Sequence, residues 1–375
     1  MAPKDNSKPR VLVLFGGESG EHGISCATAA GVVEAIDHDR FEVVTVGITQ
    51  QGQWVPVDFS SDQFQISEDG VAKVPAANRQ LFLSPGDGHV VSLPTQLGSE
   101  FSLADLGGFD VVFPLLHGPF GEDGTVQGLL EMMHLPYVGC GVLASAAAMD
   151  KPTTKVLLHE ANLPAGKWEA VTAGQWKHDR SAVLERLAHL GLPVFVKPAR
   201  AGSSLGITKV SSAADMETAI AKAQVVDPRV IVEQELTGFE VECAVLQGAD
   251  GRPRTTEPGR IAMRDDVAFY DYKTKYFGED AVSLEIPAKI PEHLAAQVRE
   301  IAAKAFETLG CEGLARVDFF VDPEKESVVI NEVNTMPGFT PFSMYPKLWE
   351  YMGIGYSQLM EELISLALAR PVGLR

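Results

Sequence analysis

Leu314–Gly338 reads LARVDFFVDPEKESVVINEVNTMPG: two apolar strands, Leu314–Asp322 and Val328–Asn334, joined by the polar turn DPEKES and running out into a Gly/Pro-shaped loop. Side chains alternate across a strand, so Arg316 and Asp318 share one face while Val317 and Phe319 share the other. Glu332 and Asn334 share a face of the second strand in the same way. Paired as a hairpin, the two strands present an arginine, two carboxylates and an amide on one surface. Such a surface would ordinarily be a solvated face with ion pairs of small energetic weight. Here the acids sit in strongly apolar strands and lead straight into NTMPGFTP, more Gly/Pro-shaped than a plain turn requires. Asp, Glu and Asn are hard oxygen donors, suited to Mg²⁺ shared with substrate phosphates. The expectation is a metal–nucleotide site.

Outward from this hairpin the chain reads as α/β, turning to α+β in its C-terminal half. Val11–Gly17 (VLVLFGG) has the look of a buried parallel strand entering a loop, followed by a helix over Ile24–Ile36 and a strand over Phe41–Thr49. This β-α-β beginning predicts an open α/β domain. Ser60–Gly108 is weakly patterned and rich in Gly, Ser, Asp and Gln, and reads as loops and an insertion. Further strands are expected at Asp110–Leu116, Pro193–Pro198, Val230–Leu236 and Phe239–Gln247, and helices at Ala213–Ala223, His293–Leu309 and Tyr356–Ala369. The His293–Leu309 helix carries Leu294, Val298, Ile301, Ala305, Phe306 and Leu309 on one face. The boundaries divide the chain into residues 1–138, 139–234 and 235–375.

Two glycine-rich loops follow buried strands. HGPFGEDGTVQG (residues 117–128) places Gly118, Gly121 and Gly124 where backbone can approach a ligand, with Asp123 able to cap a helix beginning near Thr125. A tight structural turn would explain this loop about as well, except that ligands favour the C-terminal ends of strands in open α/β sheets. KPARAGSSLG (residues 197–206) suits phosphate through the Lys197 ammonium and backbone N–H groups. It is not a Walker loop, and GGESGEHG (residues 16–23) lacks the spacing of a dinucleotide fingerprint. FYDYKTKYF (residues 269–277) interleaves aromatics with lysines, as a lid or as an edge strand guarded against aggregation.

With 375 residues the chain exceeds one compact core. The 50 acidic against 31 basic residues give a formal charge of −19, which disfavours nucleic acid and anionic lipid and leaves a small substrate as the default partner. Cys26, Cys140, Cys243 and Cys311 lie far apart with no CxxC pair, so they read as buried fillers. The polar Met1–Arg10 is no signal peptide, and no apolar run could span a bilayer; cytoplasm is the expected compartment, with no membrane partner.

These segments resemble those of the D-alanine–D-alanine ligases. HGPFGEDGTVQG and LARVDFFV…INEVNTMPG look like the two signature segments of that family. GGESGEHGIS, AAAMDK, KPARAGSSLG, VEQELTGFE and YDYKTKY match further segments in the same order, from Val11 to about Ser343. The resemblance implies an ATP-grasp fold preceded by an open Rossmann-like N-terminal substrate domain. It implies ATP as substrate and two Mg²⁺ (or Mn²⁺) held by Asp318, Glu332 and Asn334. An activating monovalent cation is left open, and a homodimer is the usual family state. Phosphates would lie toward Lys151, Lys197 and Lys275, adenine toward Glu233 and the backbone near Leu236, and ribose toward Glu240. Glu21, Ser203 and Tyr276 correspond to the group that fixes the lid and orients the first D-alanine. Arg316 and the Gly338 N–H would stabilise the oxyanion, His117 would line the substrate site, and Ser343 would bind the second carboxylate. Gly23 departs from the family, many members having an acid there.

The implied reaction joins two D-alanines to D-alanyl-D-alanine through an acyl phosphate, for peptidoglycan precursors. Three rival readings stand beside it: a ligase taking D-lactate as second substrate, against which Tyr276 speaks; another carboxylate–amine ligase, against which GEDGTVQG speaks; and a nucleotide-binding module without turnover, which would have no need of Arg316.

Overall fold

The computed structural model describes residues 8–58, 64, 72–83, 88–94, 104–263, 282–371 and 373. The chain opens with β1 (Arg10–Gly16), α1 (His22–Ala35), β2 (Glu42–Ile48) and the short β3 (Trp54–Pro56). Three more strands follow, β4 (Arg79–Leu83), β5 (Val90–Pro94) and β6 (Ala104–Asp105), before β7 (Val111–Leu115) returns to the first sheet. That sheet has the order β3-β2-β1-β7, with β1 parallel to both β2 and β7. From Val11 onward strand β1 is apolar because it is central and covered on both faces. Val11, Val13 and Phe15 pack toward α1, whereas Leu12 and Leu14 pack toward Leu81, Val90, Val126 and Leu130. Each such fully buried side chain contributes roughly 1.5–3 kcal/mol.

Ser60–Gly108, expected as loops, is corrected here: its described part forms the antiparallel sheet β4-β5-β6. RQLFL and VVSLP are each five residues long and alternate too briefly to stand out locally. What makes them strands is the packing of Leu81 and Val90 onto the far face of β1.

The middle of the chain contributes α2 (Thr125–Met132), α3 (Val142–Met149) and α4 (Lys151–Glu160), and then β8 (Trp168–Val171), α5 (Ala173–His178) and α6 (Arg180–Leu187). It continues with β9 (Val194–Pro198), β10 (Thr208–Val210), α7 (Met216–Val226) and β11 (Val230–Gln234), giving an antiparallel sheet of order β10-β9-β11-β8. The remainder comprises β12 (Phe239–Gln247), β13 (Pro253–Thr255), β14 (Arg260–Met263), β15 (Val282–Glu285), α8 (Glu292–Thr308), β16 (Leu314–Asp322) and β17 (Ser327–Asn334). Helices α9 (Met344–Tyr351) and α10 (Tyr356–Ala369) follow. The third large sheet, β13-β12-β16-β17, is lined by the predicted stripe of α8. Leu359, Met360, Leu363, Ile364 and Ala367 of α10 cross back to α1 and β7 and join the cluster that holds Val11, Val13 and Phe15 of β1.

The four cysteines are buried free thiols. No helix among the described residues is long and apolar enough to cross a membrane.

Candidate active site

The hairpin β16–β17 pairs as its sequence pattern requires. Arg316 lies opposite Asn334 and Asp318 opposite Glu332, after which the register shifts: Phe319 faces Ile330, so Asn331 is an extra residue in β17. Such a bulge bends the strand and re-aims its side chains. The Arg316 guanidinium forks onto Asp318, with Nε to Oδ1 and Nη2 to Oδ2 both at 2.7 Å, and Nε also lies 2.9 Å from Glu242 Oε2 on β12. Burial opposes charge on Arg316, but Asp318 and Glu242 outweigh it and hold its pKa well above the usual arginine value. Asn334 Nδ2 donates to Asp318 at 2.9 Å.

Loops from the other two sheets meet this surface. After β9, Ser203 occupies the left-handed region at φ 49°, uncommon for a residue with a Cβ, and its hydroxyl donates to Glu21 at the start of α1. Asp227 anchors that loop by accepting from Arg200 N, Nε and Nη2 at 2.8–2.9 Å. Burial alone would raise the Asp227 pKa, but Arg200 holds it below the ordinary value. His117, buried at the end of β7, sits 3.2 Å from both the Met336 carbonyl and the Thr28 hydroxyl. Asp123 accepts from Thr125 N–H at 3.0 Å but does not cap α2 as expected: the N-cap is Gly124, at φ 88°, and no side chain caps the helix. Glu122, to which the sequence reading gave no role, accepts from Gly118 N–H at 2.6 Å. Loss of water around it, reinforced by the nearby charge of Glu21, pushes its pKa up to about 8.

The lysines are clustered about one carboxylate. Glu233 on β11 is 2.7 Å from Lys197 Nζ and 3.1 Å from Lys155 Nζ. Burial would raise its pKa, but the two ammonium groups prevail and hold it at about 2. Lys151 Nζ donates to Ala201 O at 2.7 Å and lies 4.0 Å from Glu332 Oε2. Asp150 fixes the start of α4 by accepting from Thr153 N–H at 3.0 Å while Arg229 Nη1 grips both its oxygens.

A cavity of about 80 Å³ lies where these parts converge, bordered by Glu21, His117, Glu122, Lys151, Ser203, Arg316, Glu332, Asn334 and Gly338. Lys197, Glu233 and Asp318 stand just behind it through the contacts above. Leu236 packs over Gly166, Glu240 is exposed beside Asn331, and the Ser343 hydroxyl is engaged with Thr340. These three are not brought to the cavity wall. Lys275 and Tyr276 lie outside the described residues. Lys155 and Glu242 were missed because a lone lysine in a helix and a lone acid in a strand read as surface charges.

Among the described residues no three His, Cys, Asp or Glu side chains are arranged to hold an ion alone. Two carboxylates and an amide on facing strands instead match an ion that completes its oxygen shell with water and phosphate, as Mg²⁺ does. With Asn334 Nδ2 turned toward Asp318, its oxygen is left as an acceptor. The donor set fits such a metal.

The chain is similar to known proteins along nearly its whole length. Residues 10–140 match the family model described as D-ala D-ala ligase N-terminus, and residues 157–365 the one described as D-ala D-ala ligase C-terminus. A D-alanine–D-alanine ligase of Arthrobacter sp. is 50% identical over 99% of this chain and 97% of its own length. Among solved structures, the D-alanine–D-alanine ligase of Coxiella burnetii superposes with a TM-score of 0.78 at 33% identity, covering 96% of this chain and 94% of that one. The VanG D-Ala:D-Ser ligase of Enterococcus faecalis superposes at 0.79 and 34% identity, covering 96% of this chain and all of that one (100%).

Proposed function

The chain belongs to the D-alanine–D-alanine ligase family, with its ATP-grasp fold, and on that premise we propose that it joins two D-alanines to D-alanyl-D-alanine with cleavage of ATP to ADP and phosphate. The observation that carries the reading is the cross-strand set in which Arg316, Glu332 and Asn334, backed by Asp318, open onto the same cavity as Glu21–Ser203 and His117. ATP and a divalent metal serve the family; here two Mg²⁺ or Mn²⁺ ions are assigned to Asp318, Glu332 and Asn334. When bound, the metal neutralises charge on the transferring phosphoryl oxygens.

A carboxylate is a poor electrophile, so the first D-alanine must be activated. In this reading its carboxylate oxygen takes the γ-phosphoryl group of ATP, and ADP leaves. Lys151 and Lys197 hold the phosphates, joined by Lys275. Glu21 and Ser203, with Tyr276, orient the first D-alanine. The amine of the second D-alanine then attacks the acyl carbon, and the oxyanion forms beside Arg316 and the Gly338 N–H; phosphate leaves as the peptide bond is completed. Leu236 and Glu233 are assigned to the adenine side, Glu240 to ribose and Ser343 to the second carboxylate. Because acyl phosphates hydrolyse, closure that excludes water is part of the reading. The same reading assigns residues 1–138, 139–234 and 235–375 to substrate, central and metal-bearing parts, a homodimer as the assembly and cytoplasm as the compartment.

The deciding measurement is phosphate release with Mg²⁺-ATP and D-alanine, with L-alanine and D-alanine plus D-lactate run in parallel. Release with D-alanine alone, accompanied by the dipeptide, is expected. Release only on adding D-lactate would reassign the second substrate, and silence in every arm would sink the proposal. A narrower expectation concerns Lys197→Met. It should raise the KM for ATP by about an order of magnitude, roughly 1.4 kcal/mol of binding, with little change for D-alanine. Equal rises for both substrates would remove Lys197 from the phosphates.

A further inference from the structure

Lys155 lies one helical turn beyond Lys151 on α4, with its side chain only 3% exposed. An ammonium group has three N–H donors and nothing to accept with, so burying one demands three partners. Lys155 has them: Glu233 Oε1 at 3.1 Å, Ile330 O at 3.3 Å and Asn331 O at 3.0 Å. The two carbonyls belong to the bulge in β17, where Asn331 has no residue opposite it on β16. A bulge interrupts the ladder and leaves backbone groups to be satisfied from elsewhere. The chain between α4 and β8 also grips this point, since Pro164 O accepts from Ile330 N–H at 2.8 Å. Glu332 is the next residue along β17 and Asn334 follows two further on, so the conformation at Asn331 sets where both side chains aim.

We propose that Lys155 is a positioning residue: its ammonium locks the bulge at Asn331 and so aims Glu332 and Asn334, while its third bond ties that strand to Glu233 on the nucleotide side. The proposal rests on the ligase reading and adds to it a residue that touches neither substrate. Removing the ammonium leaves Glu233 paired with Lys197 but takes a charged donor from both carbonyls of the bulge, so the bulge relaxes and the metal-binding pair loses its aim.

The test is Mn²⁺ binding in the presence of ADP, followed by water-proton relaxation without D-alanine, beside steady-state kinetics. Lys155→Met is expected to weaken Mn²⁺ binding about ten- to a hundredfold, as loss of a ligand-orienting partner does. The KM for D-alanine should stay unchanged. Unchanged Mn²⁺ affinity in a folded variant overturns the proposal. A parallel loss of D-alanine affinity does so too, because it would mean general loosening. Should Lys155→Met not fold, Lys155→Gln decides: its amide can still donate to the carbonyls, so Mn²⁺ affinity close to that of the unaltered protein is expected, and a loss of about ten- to a hundredfold overturns the proposal. Wild-type silence with D-alanine would instead defeat the ligase reading, and the Mn²⁺–ADP measurement would still decide the role of Lys155.

Discussion

Glu332→Gln lowers turnover by at least about a hundredfold, beyond the roughly 10–100-fold that neighbours of a metal ligand cost, and leaves the fold intact. The substitution keeps size and one oxygen but removes the charge. Glu332 lies directly across from Asp318, with its side chain 37% exposed, so folding does not depend on it. The remaining carboxylate, Asp318, is already engaged by Arg316 and Asn334, which leaves little negative charge facing a cation. Phosphate release against rising Mg²⁺ is the check: excess metal should restore part of the rate, while the unfolding midpoint stays put. Near-normal turnover at ordinary Mg²⁺ would refute the assignment of Glu332 to the metal.

Arg316→Met has a double effect. Loss of one preorganised donor to a developing oxyanion costs about 10²–10³ in kcat. The fold suffers as well, because Glu242 and Asp318 lie buried against a guanidinium that is only 6% exposed. Breaking a buried pair from one side destabilises by about 3–5 kcal/mol, the surviving charge being left without a partner. Arg316→Lys restores the charge but not the fork, so it should recover more stability than turnover. Parallel urea unfolding and kcat measurements check both halves. An unchanged midpoint would mean that the two acids do not rely on Arg316, and unchanged turnover would remove it from the reacting centre.

What could be read in advance followed from period and neighbourhood. Alternation placed Arg316 with Asp318 and Glu332 with Asn334, and the observed register sets the two pairs face to face. Central, doubly covered strands such as β1 announced themselves as continuous apolar runs. The extra residue at Asn331 left no such mark, because a bulge is decided by what lies across the sheet and beneath it. Lys155 and Glu242 escaped for the same reason: their burial is a property of tertiary packing, and a lone charge in a helix or strand is most often solvated. The strands β4 and β5 fell below the length at which alternation can be seen. The meeting of Glu21 with Ser203, 182 positions apart, came from family likeness and not from any local pattern.

The return of α10 to the first sheet has a consequence for biosynthesis. Val11, Val13 and Phe15 are made early, yet part of the cluster they belong to, Leu359 to Ala367 against α1 and β7, is made after all three large sheets have been translated. A nascent chain emerging from the ribosome therefore carries an uncovered greasy patch for most of its synthesis, the kind of surface that chaperones engage. A transcript cut short before Tyr356 would still encode every residue assigned to chemistry here, and would yield a sticky product fit for proteolysis and not for work.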